Sequence, residues 1–134
     1  MKKIFLLSIF CFSLFFFLGC TSIKEAGEGF LGISTKALEE GRKDSITKTF
    51  DYDYFTIFTK VLDILKSSGA YIYKEGLSER MIAIYVSRED TTPVGIFFQE
   101  IAQNKTVIEV SSLSTYAKEL IAEMVFSQLE KIKE

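Results

Sequence analysis

Histidine and tryptophan are absent from this 134-residue chain, proline occurs once and cysteine twice. Without histidine, imidazole-based acid–base catalysis and the commonest zinc-binding sets are excluded. One of the two cysteines, Cys11, lies in an apolar N-terminal run, so no disulfide framework is available to the rest of the chain. The single proline, Pro93, leaves the remaining sequence open to regular helices and strands. Excess positive charge is missing as well. Without Lys2 and Lys3, 14 of the 16 basic residues stand against 18 acidic ones, for a net charge of −4. A domain of that balance carries no electrostatic footprint for nucleic acid or for anionic headgroups.

What is present begins at the N-terminus. Lys2-Lys3, the apolar run Ile4 to Leu18 and then Gly19-Cys20 have the basic, apolar, small-residue order of an export signal. The run is shorter than the roughly 20 residues that span a hydrocarbon core, and Ser8 and Ser13 interrupt it, so a membrane-spanning helix fits less well. An ordinary secretory signal would leave Cys20 unpaired in an oxidising compartment. Phe17-Leu18-Gly19-Cys20 resembles the lipobox of bacterial lipoproteins, with Phe17 standing where leucine is usual. That resemblance implies cleavage before Cys20, a diacylglycerol thioether on its sulfur, and attachment to a membrane through acyl chains. Thr21 in place of aspartate implies sorting to the outer membrane by the rule of enteric bacteria.

Three segments follow: 1–19 as lipoprotein signal peptide, 20–44 as a flexible tether, and 45–134 as one folded domain. Gly27, Gly29, Gly32 and Gly41 among charged residues give 20–44 its tether composition, with a short helix possible from Ser34 to Glu40. From Ser45 the apolar density rises and stays high, enough for a single small core.

Within 45–134 the hydrophobic period alternates between strand and helix. Ile46 to Phe50 reads as a short strand, and Asp51 or Asp53 caps a helix that runs to about Ser68 and stops at Gly69. On it, Phe55, Phe58, Val61, Leu62 and Leu65 are expected to face the core, widened by Tyr54, Ile57 and Ile64. Ala70 to Lys74 and Met81 to Arg88 form a hairpin, and Val94 to Ile101 and Thr106 to Leu113 a second, with Gln103-Asn104-Lys105 as its turn. Ser114 or Thr115 caps a last helix whose buried side is expected to hold Tyr116, Ala117, Leu120, Ile121, Met124, Val125 and Ile132, leaving Phe126 off the stripe. The fold class is α+β: an antiparallel sheet of four to five strands with two amphipathic helices on one face, in the order strand, helix, four strands, helix.

Phe50-Asp51-Tyr52-Asp53 opening a helix, Gly69 before Ala70-Tyr71-Ile72, Ile82-Ala83, and Lys105 to Val110 resemble small bacterial lipoproteins, distantly similar to the helix-grip repeats of BamC in the barrel-assembly machinery. The likeness is one of apolar spacing over 46–134 and implies the same strand and helix order.

Alternation also sends Tyr71, Tyr73, Met81, Tyr85, Phe97 and Val107 to the sheet face away from the helices. Tyr71, Tyr73, Tyr85 and Phe97 are therefore the candidate face for an envelope protein partner, since tyrosine combines apolar area with a polar tip. Two plainer readings compete. Aromatic cross-strand pairs stabilise a solvated sheet face, and the tether, with Phe30, Leu31 and Ile33, can fold back over it. Asp51 and Asp53 read as helix caps rather than a catalytic pair, and Asn104-Lys105-Thr106 as a chance sequon. No spacing announces a catalytic set, a metal site or a cofactor. A non-enzymatic contact role is expected, with a small-ligand module, or an enzyme using a carboxylate, serine and tyrosine pocket, as the alternative.

Overall fold

The computed structural model describes residues 35–133. Cys20 and the export motif around it lie outside the described residues. Helical residues 35–40 (α1) run into a 3-10 turn at Gly41–Asp44. Then come β1 (Ile46–Phe50), α2 (Tyr54–Ser68), β2 (Tyr71–Gly76), β3 (Met81–Tyr85), β4 (Pro93–Ala102), β5 (Lys105–Ser111) and α3 (Thr115–Lys133). The five strands form one antiparallel sheet in the order β1-β5-β4-β3-β2, an α+β architecture. The meander of β2 to β5 is continuous, and β1 closes it by pairing Ile46 with Val110 and Phe50 with Thr106. α2 therefore carries the chain from one sheet edge to the other.

Local chemistry fixes the element ends. Asp53, with extended backbone, accepts a hydrogen bond from the Thr56 amide at 3.0 Å and satisfies one of the free N–H groups that open α2. The Thr56 hydroxyl and then this amide bond hold the Asp53 carboxyl below its ordinary pKa. Gly69 ends α2 at φ 87°, a left-handed conformation that costs glycine little. The Ser114 hydroxyl accepts from the Ala117 amide at 3.2 Å and begins α3. β3 stops at Tyr85 rather than Arg88, because the Ser87 and Asp90 backbones turn the chain with a 3.1 Å bond, and Asp90 also receives the Thr92 hydroxyl at 2.6 Å.

The core lies between one sheet face and helices α2 and α3. Ile82, Ile84, Val94, Ile96, Phe98, Ile108 and Val110 supply the sheet side, as alternation predicts. On α2 the buried residues are Ile57, Phe58, Val61 and Leu65, and Phe55 is 64% exposed. Tyr54 takes the inward place in the first turn, edge-on to Phe58 at 5.7 Å and against Phe98 at 5.8 Å, which turns Phe55 to solvent. The last helix is rotated from expectation in the same manner. Its buried set is Ala117, Ile121, Ala122, Val125, Phe126 and Leu129, and Tyr116, Leu120 and Ile132 are exposed. Phe126 belongs to the core because β1, at the sheet edge, brings Phe50 to 5.7 Å from its ring.

The compact unit begins at Thr35, not at 45. Residues 35–44, tether by composition, are helix and turn laid on the opposite sheet face. No described helix is long and apolar enough to cross a membrane.

Candidate functional site

The sheet face away from α2 and α3 is built from alternate residues of five strands. Register places Tyr71 opposite Tyr85, Tyr85 opposite Pro93, Ala83 opposite Gly95, Met81 opposite Phe97, and Phe97 opposite Glu109. In β2 the pairing slips between Ile72 and Lys74, so Tyr73 is the extra residue of a bulge.

α1 covers the middle of this face. Leu38 is 1% exposed and forms a second, small core with Met81, Ala83 and Phe97, flanked by Tyr73. Two glycines permit the approach. A side chain on Gly95 would meet the Phe97 ring at 2.8 Å and the Leu38 Cβ at 3.1 Å, and one on Gly41 would meet the Ser111 hydroxyl at 2.8 Å. That hydroxyl, fully buried, donates to the Leu38 carbonyl at 2.7 Å and so meets the need of an acceptor left over at the helix end. Arg42 completes the seat. Its Nε lies 2.6 Å from Glu109 Oε2, and its guanidinium stands over the Phe97 ring at 4.5 Å.

The four residues predicted as a partner face therefore divide. Phe97, 3% exposed, lies beneath α1 and is not available to a partner. An element from within residues 20–44 brings about this change, and Gly95 in the apolar first half of β4 is the sequence signal of its seat. Tyr71, Tyr73 and Tyr85 remain together beside α1. Tyr71 and Tyr85 are stacked at 5.9 Å with an 11° interplanar angle, and Tyr73 and Tyr85 are 4.5 Å apart. Tyr71 is 45% exposed, whereas Tyr73 and Tyr85 are half-buried. Rings held by one another lose little freedom on contact with a partner, which favours recognition.

A concavity lies between α2 and α3. It measures about 410 Å³, with Ile64, Met124 and Ile132 as apolar walls and Lys60, Asp63, Ser67, Ser68 and Gln128 as polar ones. Such a volume is within the range of small-molecule sites. Asp51 and Asp53, the other carboxylates of the sequence reading, flank the start of α2, where Asp53 acts as cap.

At the far end of the sheet, Tyr54 donates to the Leu77 carbonyl at 2.5 Å, and Arg80 stands over its ring at 5.1 Å. Burial pushes the Tyr54 phenol up, Arg80 opposes that shift and Glu79 adds to it. Arg80 holds φ 58° in the β2–β3 turn. This constellation locks the turn to α2. Among the described residues no group of three or more histidine, cysteine, aspartate or glutamate side chains is placed to hold a metal ion. No protein-family model matches the sequence, and no curated protein matches it either.

Proposed function

We propose that this chain is a bacterial envelope lipoprotein, anchored through acyl chains on Cys20, whose domain works by non-enzymatic contact with an envelope protein partner. The observation that carries the contact role is the Tyr71, Tyr73 and Tyr85 cluster, which lies beside the part of the face that Leu38 and Arg42 cover. Tyrosines already stacked on a rigid sheet give contact area with little ordering cost. The anchor rests on the Lys2-Lys3, Ile4 to Leu18 and Gly19-Cys20 pattern. Fourteen residues separate Cys20 from Thr35, and at about 3.5 Å per residue they hold the domain within roughly 50 Å of the acyl chains.

Two measurements test these parts separately. Mass spectrometry of membrane-extracted protein is expected to find the diacyl modification on the Cys20 peptide, and an unmodified peptide overturns the anchor. In-cell crosslinking is expected to lose partners in a Tyr71→Ser, Tyr85→Ser double variant. Recovery of the same partners as wild type removes the tyrosine surface from consideration. The groove between α2 and α3 supports the second reading, a small-ligand module, through its volume and mixed lining.

A further inference from the structure

Tyr73 joins two parts of one surface. It packs against the small core that Leu38 makes with Met81, Ala83 and Phe97, and its ring lies 4.5 Å from that of Tyr85. The register agrees, since Met81 faces Phe97, Ala83 faces Gly95, and Tyr85 with Tyr71 follows along the same side of the sheet. The tyrosines and the residues beneath α1 are therefore one continuous face, and α1 covers part of it.

The uncovered part is small for a docking surface. Only Tyr71 is exposed, and Tyr73 and Tyr85 are half-buried. Whole aromatic side chains bury about 150–250 Å² each. Three partly covered ones fall well short of the ~800 Å² per partner of a standard interface. Met81 and Phe97 would extend the same face if α1 were elsewhere.

The cover is lightly held. Leu38 is the buried residue of 35–44, and a helix as short as 35–40 does not persist by itself. Its other ties are the Ser111 hydroxyl on the Leu38 carbonyl and the contacts of Arg42 with Glu109 and the Phe97 ring. The Arg42 side chain is 40% exposed, where water screens an ion pair. By contrast, α2 and α3 share one large buried cluster with the sheet. The chain after the cover is fixed, because Lys118 donates to the Asp44 carbonyl at 2.7 Å and β1 pairs with β5 from Ile46 onward. A layer with so few buried contacts opens at a lower free energy than the layer opposite.

We propose that α1 is a releasable strap. It lifts about the turn at Gly41–Asp44 while the rest of the domain stays folded, and the partner of the tyrosine cluster engages the whole face, with Met81 and Phe97, only when α1 is lifted. The regulation rests on the contact reading of the tyrosines, whereas the opening is measured without a partner.

Two buried alanines, one under each layer, supply the measurement. Ala83→Cys places a thiol beneath α1 and Ala122→Cys one in the core of α2 and α3, each adding a single sulfur. The full mature chain, extracted from membranes in detergent, is treated with N-ethylmaleimide under native conditions, and labelling is followed by the mass of each thiol-bearing peptide. The thiol at 83 is expected to react on the order of 100-fold faster than that at 122. Equal rates show that α1 comes away only when the whole domain unfolds, and overturn the strap. Should substitution at 122 unfold the chain, Ala117→Cys, also buried, is the reference. A label on Cys20 is seen separately and bears on the anchor alone.

A second arm pins the strap. A Cβ at Gly41 stands 2.8 Å from the Ser111 Oγ, so Gly41→Cys with Ser111→Cys brings two sulfurs within bonding reach and ties α1 to β5. With that disulfide formed, labelling at 83 is expected to fall to the rate at 122. Fast labelling that persists assigns the access to another route and overturns the strap. In intact cells the pinned chain is expected to lose the crosslinks that depend on Tyr71 and Tyr85, and Ser111→Cys alone to keep them. Crosslinks retained by the pinned chain overturn the regulation. Crosslinks that the Tyr71→Ser, Tyr85→Ser variant retains remove the contact reading and the strap's use with it, the opening itself being decided by the labelling.

Discussion

Gly95 shows how one missing side chain settles what lies on a sheet face. Within a strand glycine weakens the pairing, yet in the apolar first half of β4 its bare backbone lets Leu38 descend to the sheet. Gly95→Ala is expected to destabilise the domain by about 1–3 kcal/mol, because the added methyl must displace the Phe97 ring or lift Leu38. Urea unfolding followed by circular dichroism measures the loss. Asp53 is the residue through which stability acquires an acid dependence. Its carboxyl is held below the ordinary value of 3.8 by the hydroxyl and amide of Thr56. Its stabilising effect is therefore full above that value and fades as the pH falls through the lowered one. Asp53→Ala is expected to lower the melting temperature near neutrality, and the gap to wild type to narrow in acid below 3.8. A gap that is constant across the titration shows that the carboxylate charge contributes nothing to the cap.

The elements were legible in the sequence to different degrees, and the reasons are physical. β1, α2, β3, β4, β5 and α3 announce themselves because each buries a face, and burial imposes a period on apolar residues. Rotation of a helix about its own axis is harder to read. Phe55 and Tyr54 are neighbours of similar size, and only contact with Phe58 and Phe98 decides which of them turns inward. Likewise, Phe126 becomes a core residue because β1 sits at the edge beside β5, a pairing no local pattern encodes. The helix of α1 was legible from Ser34 to Glu40, but its docking was not, since one leucine among Lys36, Ala37, Glu39 and Glu40 shows no stripe. Its seat depends on Met81, Ala83, Gly95 and Phe97, far away in sequence. The tyrosine cluster was legible by alternation, and the tether folding back over the face was one of the readings, but that Leu38 would do it and cover Phe97 was not legible. Leu38→Ala is expected to cost about 2–5 kcal/mol and to release α1. Limited proteolysis within 35–44 is the measurement, with faster cleavage than wild type as the expected outcome.

At the scale of the whole molecule, two layers of different weight sit on one sheet. On one face α2 and α3 bury a large aromatic and aliphatic core, and on the other Leu38 of α1 is buried with Met81, Ala83 and Phe97, with a salt bridge at the margin. The heavy layer sets global stability, and the light one sets which surface is offered outward. The domain is thus arranged to present its tyrosines beside α1.

The edge position of β1 also dictates an order of events in time. Ile46 pairs with Val110 and Ser111 holds Leu38, so the earliest part of the domain to be synthesised has no docking site until the last strand has followed. The local hairpins of β2 to β5 close first, since short loops cost less entropy. β1 and α1 join afterwards. Leu38→Ala is therefore expected to speed unfolding while leaving the refolding rate nearly unchanged in stopped-flow measurements. As the domain folds, α1 and β1 are the last to settle, and the Phe97 face stays open until they do.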